Sequence, residues 1–529
     1  MPPTEAAPET PVVGVAALVS VAAEENPDKL AIVESGGRSV TWAQLDDEVG
    51  RVATGLGAAG IVAGNRVMIA SSNRIEFVTC YLGVLRAHAV AVPVNPRATA
   101  HELARLIADS GSRMVVADGD TVTTVREAVV LLAADASPIA AAPRVVVIGS
   151  TLLPGERSYD HLRSDTARPT PPLHDPERLA ALLYTSGTSG LPRAAMLTHR
   201  ALAANIEQVA AVDPPMIHGD DVVLGVLPLF HVYGLNAVLG GVLRHRAKLV
   251  LTDHFDPEGT LDLIDDEACS VVPVAPPVFA HWRTLDLAER LGPVRLMLSG
   301  SAPLSGALID EFTGLSGVPI HQGYGLTEAA PVVTTTLRSH DARSGSVGAA
   351  LDGIELRLVD EAGVVVPGDD PGEIQIKGAN LFSGYWPDGA DGPDAEGWWS
   401  TGDVGFLDAA GDVFLVDRLK ELVIVSGFNV YPVEVEKVVL DVDGVQAAAV
   451  IGVEDAGTGE AVVAYVVAPG GDPVAIESAV RARCEERLAR FKVPSRIEVV
   501  DELPHTVTGK VQKGRLRGLE RRRMLGLLE

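Results

Sequence analysis

The sequence predicts a mixed α/β protein: a large N-terminal domain of layered α/β subdomains with a β-rich distorted-barrel subdomain, followed by a small α+β C-terminal domain. Three observations predict it. Short Val- and Ile-rich runs alternate with longer helical patterns over the first 150 residues, and the alternation resumes from residue 221 to 299, as in layered α/β folds. After Gly345 the runs become short strands separated by Gly, Asp and Pro. Beyond Arg418 a strand, a helix and further strands follow within about 110 residues, enough for a small domain.

In chain order, the opening "MPPTEAAPETPVVG" has no basic start followed by an apolar run, which predicts a flexible tail and no secretory signal. Thr41–Gln44, "TWAQ", has the spacing of a capping box and predicts a helix start. "RVMIAS" from 66, "HAVAVPVN" from 88, "RMVVAD" from 113 and "RVVVIG" from 144 predict strands. "RPTPP" at 168–172 predicts a loop, after which "DVVLGVLP", "AKLVLT", "CSVVPV" and "VRLMLS" supply the second set of strands. "IELRLVD", "GEIQIKG" and "GDVFLVD" are the strands of the β-rich part. In the last unit, "LVIVSG" predicts a strand and Pro432 opens a helix with Glu434 and Glu436 in its first turn, where acidic residues suit the helix dipole. A later helix carries Ile476, Val480 and Leu488 at helical spacing. The domain boundary is expected at 417 to 420, giving domains 1–417 and 418–529.

Bulk properties narrow the function. A chain of 529 residues exceeds what one hydrophobic core supports. Its formal net charge of −27 excludes a phosphate-tracking nucleic-acid surface, which needs clustered Lys and Arg. No uninterrupted apolar run is long enough for a transmembrane helix. Cys80, Cys269 and Cys484 are far apart and lack ligand-spaced His, which predicts reduced core thiols in a cytoplasmic protein, with neither zinc nor disulfides.

The segment Thr185, Ser186, Gly187, Thr188, Ser189, Gly190 follows an apolar run and suits phosphate oxygens, since Gly allows close backbone approach and the hydroxyls donate. It is not a Walker A loop: two residues separate its glycines, and the basic residue is Arg193 after Leu-Pro. Six further segments follow in order: "PLFHVYGL" (228–235), "SGSAPL" (299–304), "QGYGLTEAAP" (322–331), "STGDVG" (400–405), "DRLKELVIVSGFNVYPVEVE" (417–436) and "LPHTVTGKVQK" (503–513). Together these segments resemble the motifs of the adenylate-forming (AMP-binding) acyl-CoA synthetases, over roughly residues 25 to 520. The likeness extends to medium- and long-chain fatty acid–CoA ligases and to the 4-coumarate type.

The resemblance implies that a carboxylate attacks the α-phosphate of ATP, and that coenzyme A thiol then displaces AMP. A carboxylate is already ionised at pH 7, so the first step needs charge neutralisation and positioning. By the same resemblance, Thr185 to Gly190 wrap the β- and γ-phosphates, Glu328 holds Mg²⁺ and Thr327 touches the α-phosphate. Tyr324, within Gly323–Gly325, faces adenine, with Gly300, Ser301 and Ala302 on the other side. Asp403 accepts the ribose hydroxyls, assisted by Arg418, and Lys510 reaches the α-phosphate and the substrate carboxylate. His231 lies beside the carboxylate, and no acid near it would pair an amino-acid ammonium. Ser426, Gly427, Phe428 and Asn429 serve the thioester step, and Lys420 is the hinge about which the small mobile domain swings. ATP, Mg²⁺ and coenzyme A are the implied co-substrates; the sequence leaves the assembly open, a homodimer among the options.

The acyl pocket is expected around His231, Val232, Gly234, Val278, Gly325 and Pro331, where segments 232–241, 274–282 and 329–335 are apolar and mostly small. A fatty acid is the first expectation and an aryl acid the alternative. Enzymes that stop at acyl-AMP are a rival; "VSGFNVYP" resembles the CoA-using branch. Retention of Glu328, Asp403 and Lys510 argues against a non-catalytic nucleotide sensor. Two departures stand out: Pro192-Arg193-Ala194 where Pro-Lys-Gly is usual, and Asp352 where Pro is commoner.

Overall fold

A computed structural model describes residues 14–134, 142–186, 192–301, 304, 306–340, 343, 345–360, 362–367, 372–418, 423–430, 432–504, 511 and 513–524. Two large sheets, mostly parallel, form the N-terminal part. The seven-stranded sheet runs in the order Arg157–Ser158, Arg144–Val147, Met114–Ala117, Arg66–Ala70, Val90–Pro93, Leu179–Ser186, Pro192–Thr198. The nine-stranded sheet runs Ala349–Ala350, Val332–Thr335, Ile320–Gly325, Leu296–Ser299, Val271–Val274, Val222–Gly225, Lys248–Leu251, Leu30–Glu34, Ser39–Thr41.

Central strands such as Met114–Ala117 and Val271–Val274 are buried on both faces, which is why their sequences are continuous apolar runs. A helical layer lies between the two sheets. Trp42, Leu45, Phe77 and Tyr81 of helices Trp42–Ala58 and Ile75–Arg86 pack in one core with Val67 and Ile69 of the first sheet and Val223 and Leu249 of the second. Helices Ala100–Ser110 and Val122–Ala134 cover the outer face of the first sheet, and Pro257–Asp266, Pro276–Trp282 and Gly306–Ser316 that of the second. Thr41 caps the helix it was expected to open: its Oγ1 accepts from Gln44 N at 3.3 Å, and Gln44 Oε1 accepts from Thr41 N at 2.9 Å.

The β-rich part is a four-stranded antiparallel sheet, Ile354–Val359, Gly372–Gly378, Trp399–Leu407, Val413–Arg418, with bulges in its last two pairings that curl it. The C-terminal unit pairs Phe428–Val430, Val423–Val425, Gly459–Val467 and Ala447–Asp455. Arg496–Val500 adds to Gly459–Val467, and helix Pro432–Leu440 starts at the expected proline. Cys80, Cys269 and Cys484 are buried free thiols. Among the described residues no helix is long and apolar enough to cross a membrane.

Candidate active site

The site lies at the carboxyl ends of Leu296–Ser299 and Ile320–Gly325, where open α/β sheets bind ligands. One cavity there is lined by Thr185, His231, Val232, Gly300, Ser301 and Gly323, and also by Tyr324, Gly325, Thr327, Glu328, Pro331 and Asp403. These residues come from segments spread over more than two hundred positions of the chain, and the fold brings them to one place.

Gly300 shows how tightly the wall is built. A Cβ there would sit 2.9 Å from Tyr233 Cε1 and 3.3 Å from its hydroxyl, so the absent side chain lets the tyrosine ring lie against the backbone. Tyr233 itself starts a π-helix, Tyr233–Leu239, a wide turn that is often found at functional sites. No motif in the sequence marks it. The helix turns Ala237 and Val238 into the cavity.

Tyr324 donates its hydroxyl hydrogen to Asp403 Oδ2 at 2.7 Å, and Asp403 N donates to Thr401 Oγ1 at 3.1 Å. These bonds hold the aspartate on strand Trp399–Leu407 beside the tyrosine ring. The backbone of Arg418 pairs directly with that of Asp403.

Glu328 sits in a short 3₁₀ turn, Thr327–Ala329, and is buried. Its Oε1 accepts from the Tyr385 hydroxyl at 2.6 Å. Over the Tyr385 ring, at 3.9 Å, lies the guanidinium of Arg193, which also pairs with Asp391 Oδ2 at 2.7 Å. The arginine that replaces the usual lysine is thus held flat against the tyrosine that orients Glu328, a stacking that suits a planar fork better than an ammonium. The other departure, Asp352, pairs at the surface with Arg338 at 2.7 Å, and it is not among the described residues that line the cavity.

Glu328 fits an ion carried by a nucleotide. Among the described residues no group of three or more His, Cys, Asp or Glu is arranged to hold a metal. Mg²⁺ commonly takes one or two carboxylates and fills its other positions with phosphate oxygens and water. One buried carboxylate next to Thr327 suits that division.

His231 faces the cavity as a neutral ring. Burial pulls its pKa down to about 4, and its Nδ1 accepts from Tyr233 N at 3.4 Å, which leaves the hydrogen on Nε2. The ring therefore offers a donor and no positive charge.

Ser426, Gly427 and Phe428 stand at the mouth. Ser426 and Gly427 have φ of 51° and 81°, and a Cβ on Gly427 would lie 3.7 Å from Ala275 Cβ and 3.9 Å from Ser301 Cβ. Phe428 stacks on Phe230, next to His231, at 6.0 Å and on Phe491 at 4.6 Å. An ion triad fixes the same arrangement. Lys492 Nζ lies 3.0 Å from Glu102 Oε1 of the N-terminal part and 3.0 Å from Glu434 Oε1 of the C-terminal unit. Burial works against the lysine's charge, but the two carboxylates outweigh it and raise its pKa above the usual lysine value.

Two expected pocket residues do not line the cavity. A Cβ on Gly234 would lie 2.4 Å from Pro228 O, so this glycine serves the backbone crossing. Val278, on helix Pro276–Trp282, packs in the core behind the sheet with Phe279 and Phe312. Gly187, Thr188, Ser189, Gly190, Ala302, Lys420 and Lys510 lie outside the described residues, as do the side chains of Ser186, Arg418 and Asn429. Sequence reasoning missed Tyr385, His321 and Lys492. "NLFSGYWPDG" at 380–389, a turn-rich segment with three aromatics, was the available signal for the first.

A model of the AMP-binding enzyme family matches residues 19–386, and a model of the AMP-binding enzyme C-terminal domain matches residues 434–510. A 4-coumarate–CoA ligase-like protein of Oryza sativa subsp. japonica is 33% identical over 94% of this chain and 90% of its own length. A long-chain-fatty-acid–CoA ligase of Escherichia coli O6:H1 is 33% identical over 87% of this chain and 86% of its own. The solved structure of an amide bond synthetase from Marinactinospora thermotolerans superposes with a TM-score of 0.82 at 27% identity, covering 96% of this chain and 99% of that one.

Proposed function

Because the chain belongs to the AMP-binding enzyme family and is an acid–thiol ligase of the CoA-ligase kind, we propose that it converts a carboxylic acid with an apolar body to its CoA thioester through acyl-AMP. The observation that carries the reading is the cavity in which the Tyr324–Asp403 pair, Thr327 with Glu328, and neutral His231 meet an apolar inner wall.

In the first step a carboxylate oxygen attacks the α-phosphorus of ATP as the bond to pyrophosphate breaks. Asp403 accepts the ribose hydroxyls, Thr327 donates to phosphate oxygens, and Glu328, held by Tyr385, would hold the Mg²⁺ whose charge would offset theirs. Lys510 adds a long-armed cation to this step. In the second step the CoA sulfur attacks the acyl carbon and AMP leaves with the bonding electrons, while the thiol proton passes to solvent. His231 Nε2–H donates to the acyl oxygen, and the position of Ser426 to Phe428 at the mouth supports a role for them in guiding the thiol arm. Residues 418–529 act as the small mobile domain with its hinge at Lys420, and the protein works in the cytoplasm.

A medium- or long-chain fatty acid is the first substrate reading. An aryl acid of the 4-coumarate type is the second, favoured by the Tyr233 ring packed against Gly300 and by the 4-coumarate ligases among the relatives. The test is a panel of fatty and aryl acids with Mg²⁺, ATP and CoA, scored for AMP and pyrophosphate. CoA-dependent AMP formation is expected, and ADP formation, or AMP formation that ignores CoA, would overturn the reading.

A further inference from the structure

The inner half of the cavity is walled by Val209, Met216, Ile217, Val238, Val271 and Leu298. One titratable side chain interrupts this wall. His321 pairs in register with Leu298, and Leu298 with Pro273. Paired residues of parallel strands share a face. The alternate residues Val272, Met297 and Ile320 pack into the core behind the sheet, so Pro273, Leu298 and His321 present the cavity face, and all three line it.

Depth follows from the same register. His321 precedes Gly323 by two residues, or about 7 Å of strand, away from the Gly300–Ser301 end where the carboxylate is activated. That is roughly the span of a phenylpropanoid acid from its carboxyl to the para position of its ring.

Hydrogen bonding sets what the ring offers. Gln322 N donates to Thr336 Oγ1 at 3.0 Å, so the hydroxyl's own hydrogen is free for His321 Nδ1, a long contact at 3.4 Å. When the hydroxyl gives that hydrogen to Nδ1, the imidazole hydrogen sits on Nε2. Burial lowers the pKa of the ring below the ordinary histidine value, so at neutral pH it is an uncharged donor. Of the two threonines on the next strand, Thr334 Oγ1 donates to Val347 O at 2.6 Å, whereas Thr335 Oγ1 accepts from Leu337 N at 3.3 Å and keeps its own hydrogen. A donor in an apolar wall is left unpaired by a hydrocarbon ligand and paired by an oxygen placed opposite it, which makes the difference between the two ligands large.

Resting on the CoA-ligase reading above, we propose that His321 is a specificity-determining residue that selects acids whose apolar body carries a neutral hydrogen-bond-accepting oxygen about 7 Å beyond the carboxylate, such as a ring hydroxyl or an in-chain oxo group, over the matching hydrocarbon acids.

The test compares kcat/KM for 3-(4-hydroxyphenyl)propanoic against 3-phenylpropanoic acid, and for an oxo-substituted against the parent fatty acid, in the full-length protein. The wild type is expected to favour at least one oxygenated acid by about tenfold to a hundredfold. His321→Leu should abolish that preference while keeping or improving use of the hydrocarbon acid, which a general packing defect would not do. His321→Gln, which retains a donor, should restore part of it. A ratio unchanged in His321→Leu, or a wild type that prefers the hydrocarbon acids, overturns the inference and leaves the ligase reading intact. Absence of CoA-dependent AMP release with every acid overturns both.

Discussion

Glu102→Gln tests whether the Lys492 triad holds the C-terminal unit over the mouth of the site. The three side chains are 7%, 4% and 12% exposed for Glu102, Glu434 and Lys492, so salt and water weaken the contact little. Glu102 has a second duty as the third residue of a capping box, its Oε2 accepting from Thr99 N at 2.9 Å. Glutamine keeps that acceptor with its one amide oxygen and turns its NH2 toward Lys492, so the cap survives while the charge and the acceptor opposite the lysine are both lost. A charge-assisted hydrogen bond is worth about 1.5–3 kcal/mol, which corresponds to a loss of about 10- to 150-fold in the equilibrium favouring this arrangement. Since the arrangement sets Ser426 to Phe428 at the mouth, the loss should fall on the thioester half-reaction. Acid-dependent exchange of pyrophosphate into ATP reports the first half, and single-turnover conversion of supplied acyl-AMP with CoA reports the second. The second should slow by tenfold or more with the first unchanged or faster. An equal loss in both, or an unaffected second half, would mean that the triad does not set the mouth for thiol attack.

Three further outcomes are expected. Glu328→Ala should lower pyrophosphate exchange by about 10² to 10³, the usual loss for one electrostatic contact to the reacting groups; near-normal exchange would remove Glu328 from the phosphate site. Arg193→Lys, which restores the commoner residue, should cost about two- to tenfold in kcat/KM for ATP, because the stacked guanidinium over Tyr385 is worth about 0.5–1 kcal/mol or somewhat more when shielded; an unchanged value would mean that Tyr385 orients Glu328 unaided. His199 is buried with no hydrogen-bond partner for either ring nitrogen among the described residues, and burial, with His88 and Arg178 near it, holds its pKa at about 4. Above pH 6.5 it is neutral folded and unfolded alike; as pH falls toward 4 only the unfolded chain gains the proton, so stability drops by up to about 3 kcal/mol. Urea midpoints measured from pH 7 to 4 should show His199→Leu losing less stability than the wild type across that window.

Local chemistry made much of the fold legible. Strands buried on both faces read as apolar runs, and Thr41 and Pro432 marked helix starts because capping and proline act within a few residues. Residues that line the cavity were legible where they sit together in compact segments, as with Thr327 and Glu328. What stayed hidden depends on contacts distant in sequence. Lys492 and Glu102 are 390 positions apart, and Tyr385 reaches Glu328 across 57. His321 is one polar residue in a strand until the register sets it beside Leu298. Gly234 misled for the opposite reason: a small residue suggests room for a ligand, while here the backbone of Pro228 already fills the space.

In the proposed reaction the acid is activated by a bond from its carboxylate oxygen to the α-phosphorus of ATP. Supplying an accepted acid labelled with oxygen-18 in both carboxylate positions, with ATP, Mg²⁺ and CoA, and weighing the nucleotide product by mass spectrometry tests this directly. One labelled oxygen should appear in each AMP released, because the bridging oxygen of the acyl-adenylate leaves with the phosphate when the thiol attacks the acyl carbon. Unlabelled AMP, or label recovered in inorganic phosphate alongside ADP, would contradict the account.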